Sequence, residues 1–113
     1  TYTNEVKKNA LGVPAELLEQ FGACSKEVTL AMAQGCRERT GADFGLATTG
    51  VAGPGGLSPD LPEGKVFVAL AWKGGSHSET NQWFGNRNEV QSRTAKMALN
   101  ILRLHLLKEA KHG

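Results

Sequence analysis

From Lys65 to Trp72 nearly every position is apolar: Val66, Phe67, Val68, Ala69, Leu70 and Ala71 follow one another without a polar break. A short run that is apolar on both faces predicts a strand covered on both sides. A second buried strand is predicted over 42–48, with the hydroxyls of Thr48 and Thr49 at its end. Ser76 to Phe84 alternates weakly and is mostly polar, which suits an edge strand. The Gly74-Gly75 pair before it predicts a tight hairpin turn.

Helical spacing fills the rest. Thr1 to Thr3 reads as the end of a strand, and Asn4 to Ala10 as a short helix capped by Thr3 or Asn4. Pro14 to Phe21 is a second helix, with Leu17, Leu18 and Phe21 on one face, closed by Gly22. Ser25 is a good N-cap for a helix from about Lys26 to Thr40. Its apolar face is expected at Val28, Met32 and Cys36, with Ala31 and Gly35 allowing close packing, and Gly41 ends it. Asn86 with Glu89 resembles a capping box at the start of a final helix over 86–110. Val90, Ala95, Met97, Ala98, Ile101, Leu102 and Leu104 are its expected buried face. Strands covered on both faces need helices on both faces. The expected architecture is therefore α/β, a three-layer α/β/α sandwich with a mixed sheet, whose N-terminal strand and helix are incomplete in the sequence as it stands.

Composition narrows the function classes. A chain of 113 residues is one domain, residues 1–113. A net charge of +2 with scattered basic residues gives no footprint for nucleic acid. Four Phe, two Trp and one Tyr make no stacking platform for single strands. No apolar run has the length of a membrane span. Cys24 and Cys36 make no disulfide framework, and Cys36 falls on the apolar side of its helix, so a reducing cytoplasm is expected. His77, His105 and His112 show no metal-ligand spacing, and neither metal nor cofactor is expected.

The candidate chemistry lies after the strand at 42–48. Gly50, Gly53, Gly55 and Gly56 fall within seven residues. Glycine lets backbone approach a ligand closely, and amides freed in such a loop can point at an anion. Open α/β sheets bind ligands at the carboxyl ends of their strands. Two readings stand: a phosphate or oxyanion site, or a flexible connection. The spacing is not that of the phosphate loop of nucleoside triphosphatases.

Three segments together resemble the CinA C-terminal domain family, the nicotinamide-nucleotide amidohydrolases. They are Thr1 to Lys7 running on to Leu11-Gly12-Val13, Gly22 to Val28 leading to Ala31-Met32-Ala33, and Thr49 to Gly56. Phe84-Gly85-Asn86-Arg87 resembles the family's Gly-Asp-Arg turn, with Asn86 in place of the aspartate. The order and spacing match over nearly the whole chain.

The resemblance implies hydrolysis of the carboxamide of nicotinamide mononucleotide to nicotinate mononucleotide and ammonia, by a small-molecule enzyme that forms homo-oligomers. The family's serine nucleophile sits in a Glu-Ser-Cys-Thr-Gly-Gly motif upstream of its Tyr-x-x-x-x-Lys segment. That motif does not occur here, and Ser25 and Ser92 do not stand in its place. Tyr2 and Lys7 match Tyr-x-x-x-x-Lys. Lys7 is then the general base for a serine hydroxyl, which is a weak nucleophile until its proton is taken. Tyr2 orients Lys7 or bonds the reacting groups, and Lys8 is a solvent-facing neighbour. Thr49 matches the threonine before the glycine loop, where its hydroxyl meets the scissile amide or a catalytic partner. Thr48, Gly50, Gly53 and Gly55 are implied in substrate binding. Arg87, with Arg93 as the second choice, is implied for the phosphate, which a guanidinium grips in a bidentate fork. The alternative is a non-catalytic nucleotide-binding or oligomer-forming module. Turnover against binding alone separates the two.

Overall fold

The all-apolar run is the middle strand of the sheet. A computed structural model describes residues 13–22, 24–51, 56, 59 and 61–112. Tyr2, Lys7, Lys8, Gly53, Gly55 and the helix expected over 4–10 lie outside them. The described elements are, in order, α1 (Ala15–Phe21), α2 (Lys26–Thr40), β1 (Phe44–Gly50), β2 (Lys65–Trp72), β3 (Gly75–Gln82) and α3 (Arg87–His112). The strands lie in the order β1-β2-β3. Both pairings are antiparallel, so the mixed sheet expected from the sequence is antiparallel throughout among the described residues.

The pleat sorts β1 and β2 into two unlike faces. One carries small side chains: Gly45 lies opposite Ala71, and Ala47 opposite Ala69. Leu30, Met32 and Ala33 of α2 pack on it. The other face is bulky, with Phe44 opposite Trp72 and Leu46 opposite Leu70. It receives Met97, Ala98, Ile101 and Leu102 of α3. Two helices on opposite faces make the expected three layers, and β2 is buried from Val66 to Ala71 as its composition required.

Small residues let α2 come close. A Cβ placed on Gly45 would collide with the main-chain carbonyl of Ala33. The buried positions of α2 are therefore Val28, as expected, with Thr29 and Ala33, while the expected Met32 and Cys36 are only partly buried. Ser25 caps the helix as expected, its hydroxyl accepting from the Val28 amide at 3.2 Å. Cys24 and Cys36 are both free thiols.

Several boundaries moved. β1 starts two residues late because its ladder with β2 runs from Phe44–Trp72 to Gly50–Val66, which puts Thr48 and Thr49 inside the strand. β3 opens at Gly75, which pairs with Trp72, so Lys73 and Gly74 alone make the turn. Pro14 is the N-cap of α1 rather than its first residue, and α1 buries no side chain, with Phe21 left 40% exposed. On α3 the buried stripe passes through Thr94, Ala98 and Ile101. These positions follow the helical repeat, and Ala95 and Leu104 fall beside them, exposed. His105 continues the stripe: its ring lies 4.0 Å from that of Trp72 and 5.6 Å from Phe44, centroid to centroid.

Candidate active site

The sheet does not stop cleanly at the end of β1. The Val51 amide donates to the Lys65 carbonyl at 2.9 Å, and the Gly64 amide donates to the Val51 carbonyl at 2.9 Å. The Trp83 amide in turn donates to the Gly64 carbonyl at 3.0 Å. Gly64 is held at φ +88°, and a Cβ there would collide with the Trp83 carbonyl. Only glycine brings the three chain ends this close. They form the floor of a cleft.

The cleft has a volume of about 1170 Å³ and lies between the carboxyl end of β1 and the start of α3. Thr48, Thr49 and Gly50 border it on the β1 side, and Arg87, Gln91 and Thr94 on the helix side. Trp83 and Phe84 also line it. Of the residues expected from the sequence, Thr48, Thr49, Gly50 and Arg87 are thus gathered around one space. Gly53 and Gly55 of the glycine loop, with Tyr2 and Lys7, lie outside the described residues.

The two threonines differ. Thr48 shares the α3 side of the pleat with Leu46 and is exposed. Thr49 shares the α2 side with Ala47 and is only 9% exposed. Its Oγ1 lies 2.8 Å from Oγ1 of Thr29, which is fully buried on α2. Thr29 Oγ1 donates to the Ser25 carbonyl at 2.6 Å. Ser25 is thereby an end-of-helix residue, its own hydroxyl donating to the Gly22 carbonyl at 2.9 Å. Cys24 sits beside the same strand end, its Sγ 3.5 Å from the Gly50 carbonyl.

The helix side is set by the expected capping box. The Asn86 amide donates to Glu89 Oε1 at 3.1 Å, and the Glu89 amide donates to Asn86 Oδ1 at 2.9 Å. This fixes the first turn, where Arg87 stands exposed on the cleft wall. Arg93 is engaged elsewhere. Its Nη1 donates to the Phe84 carbonyl at 2.8 Å, and its guanidinium lies 6.0 Å from the centre of the Trp83 ring. It braces the turn that leads into α3. Trp83 Nε1 is shielded from solvent and has no hydrogen-bond partner among the described residues. Neither Thr29 nor Trp83 was signalled by the sequence. Among the described residues no group of His, Cys, Asp and Glu side chains is arranged to hold a metal ion. No helix there is long and apolar enough to cross a membrane.

The model of the CinA C-terminal domain matches residues 1–106. The chain belongs to the CinA C-terminal domain family. It is 49% identical over 107 residues to a CinA-like protein of Geotalea daltonii and 47% identical to one of Geobacter metallireducens. Each match covers 95% of this chain and 26% of the relative, so the chain spans about a quarter of the length of those proteins. Its fold is that of the competence/damage inducible protein CihA from Agrobacterium tumefaciens, with a TM-score of 0.85 and 39% identity. That match covers 92% of this chain and 64% of the other. The competence damage-inducible protein A from Klebsiella pneumoniae superposes with a TM-score of 0.86 at 31% identity, covering 92% of this chain and 65% of that one. This CinA-family chain is thus related to competence- or damage-inducible proteins across its length.

Proposed function

We infer that this CinA-family chain carries the substrate-binding part of an amidohydrolase that converts nicotinamide mononucleotide to nicotinate mononucleotide and ammonia. The observation that carries the reading is the single cleft that has Thr48, Thr49 and Gly50 on one side and Arg87 on the other. A mononucleotide amide needs a polar end for its carboxamide and a cationic end for its phosphate, and the cleft supplies both. Arg87 grips the phosphate in a bidentate fork. The backbone of the glycine loop stabilises the oxyanion that develops on the carbonyl, a contribution of about 3–4 kcal/mol per well-aimed donor. Lys7 takes the proton of the family's serine, and Tyr2 orients Lys7. The serine itself belongs to a motif that these 113 residues do not include. The reaction needs neither cofactor nor metal, and its setting is the cytoplasm. Leu99, Leu106 and Leu107, exposed on the outer face of α3, support a homo-oligomer.

The test is ammonia release from nicotinamide mononucleotide by the full-length protein. Lys7→Ala abolishes turnover, and Lys8→Ala leaves it within about twofold of the parent, since surface changes away from a site cost little. Full activity in Lys7→Ala removes the lysine from the mechanism. Binding without turnover in the parent favours a nucleotide-binding module instead.

A further inference from the structure

The turn between β3 and α3 treats its two aromatic residues differently. Trp83 is half-buried, with the Arg93 guanidinium 6.0 Å from the centre of its ring. Phe84 lines the cleft and is 78% exposed, the most open of the bulky apolar residues described. It belongs to neither apolar cluster on the sheet and pairs with no other ring among the described residues. A phenyl ring left in solvent adds nothing to the core, yet its main chain is held on both sides. The Trp83 amide donates to the Gly64 carbonyl at 3.0 Å. Arg93 Nη1 donates to the Phe84 carbonyl at 2.8 Å. Gly85 turns the chain at φ +131°, and the capping box of Asn86 and Glu89 follows at once. A bare ring carried on a pinned main chain at the wall of a cleft is pre-organised for a ligand. The rest of the wall says what kind. Val51, Pro62, Val66 and Val90 make much of it apolar, and Arg87 is a cation on it. Arg87 stands three residues after Phe84, and three residues of chain span at most about 10 Å, the scale of a single nucleotide. A flat apolar face so close to a guanidinium suits a ligand that joins a flat ring to an anion.

We propose that Phe84 is a specificity-determining residue that stacks on the ring of the nucleotide while Arg87 holds its phosphate. The inference rests on the amidohydrolase reading given above and deepens it. The ring of a nicotinamide nucleotide is an N-alkylated pyridinium, which is flat, electron-poor and cationic. The face of a phenyl ring is its negative side, so it attracts such a ring by offset stacking and by cation–π attraction. Phe84 takes no part in bond breaking. It selects ligands that carry the ring over sugar phosphates that do not, and it leaves the grip on the phosphate to Arg87.

The test uses the full-length protein and two ligands: nicotinamide mononucleotide, and ribose 5-phosphate as the same sugar phosphate without the ring. It measures the KM of the first and the inhibition constant of the second. Phe84→Ala raises the KM about tenfold, the worth of one stacked ring. It leaves inhibition by ribose 5-phosphate within about twofold of the parent and Tm within about 2 °C, since the ring is outside the core. Phe84→Tyr keeps the parent KM. Phe84→Leu, apolar but without a π face, stays near the alanine variant. Arg87→Ala weakens both ligands. A parental KM in Phe84→Ala overturns the proposal, while ammonia release by the parent still supports the amidohydrolase. Equal weakening of both ligands in Phe84→Ala also overturns it, as a merely structural role would give, and so does a leucine variant as good as the tyrosine one. A parent that neither binds nor hydrolyses the mononucleotide overturns the amidohydrolase reading first and this inference with it.

Discussion

Replacing Gly45 with alanine adds one methyl group at the tightest point between α2 and the sheet. The new Cβ meets the Ala33 carbonyl and carbon and the Arg37 Cβ at once. A main-chain carbonyl in mid-helix cannot swing aside, so the whole of α2 must retreat by roughly 1 Å, which forfeits up to about half of the dispersion attraction along that interface. The contacts at stake are those of Leu30, Met32 and Ala33 with Ala47, Ala69 and Ala71. Overpacking of this kind costs about 3 kcal/mol. For a domain of this size that lowers Tm by about 10 °C. Gly50→Ala is the control on the same strand, since its Cβ would lie 3.4 Å from Val66 Cγ1 and has room. Its loss stays below about 1 kcal/mol. The assay is calorimetric or near-ultraviolet unfolding of both variants beside the parent. A Gly45→Ala protein melting within about 2 °C of the parent, or a control that falls just as far, refutes the close-packing argument.

The arginines separate by kinetics. Arg87→Ala raises the KM of the mononucleotide about 10- to 100-fold with little change in kcat, because a phosphate grip is made equally in ground and transition states. Steady-state kinetics check this, and a loss confined to kcat contradicts it. Arg93→Ala costs about 1 kcal/mol of stability, through the lost bond to the Phe84 carbonyl. It shifts KM less than Arg87→Ala does. Asn86→Ala opens the capping box and costs about 1 kcal/mol, read from urea unfolding; the unfolding midpoint of an intact cap would leave Asn86 without that role.

Legibility followed physical locality. β2 was readable because a strand buried on both faces has no polar positions to confuse the pattern. The capping box at Asn86 and Glu89 was readable because its two bonds span three residues. The edges of β1 were not, because the antiparallel register that draws Thr48 and Thr49 into the strand is set by β2 and not by β1 itself. Thr29 looked like an ordinary polar position on a helix. Its partner is 20 residues away, and they meet only because Gly45, Ala47 and Ala69 admit α2 so closely. Arg87 was preferred to Arg93 on paper, but both are arginines early in a helix and nothing in the sequence separates their surroundings. A single carbonyl, that of Phe84, takes Arg93 and leaves Arg87 on the cleft wall.

Hydrolysis of a nucleotide carboxamide in the cleft is the reading at stake. Its most direct test follows nicotinate mononucleotide and ammonia together after nicotinamide mononucleotide is added to the full-length protein. The two products are expected in equal amounts over many turnovers, and Arg87→Ala slows both alike at low substrate. Saturable binding with neither product formed at high protein concentration contradicts it.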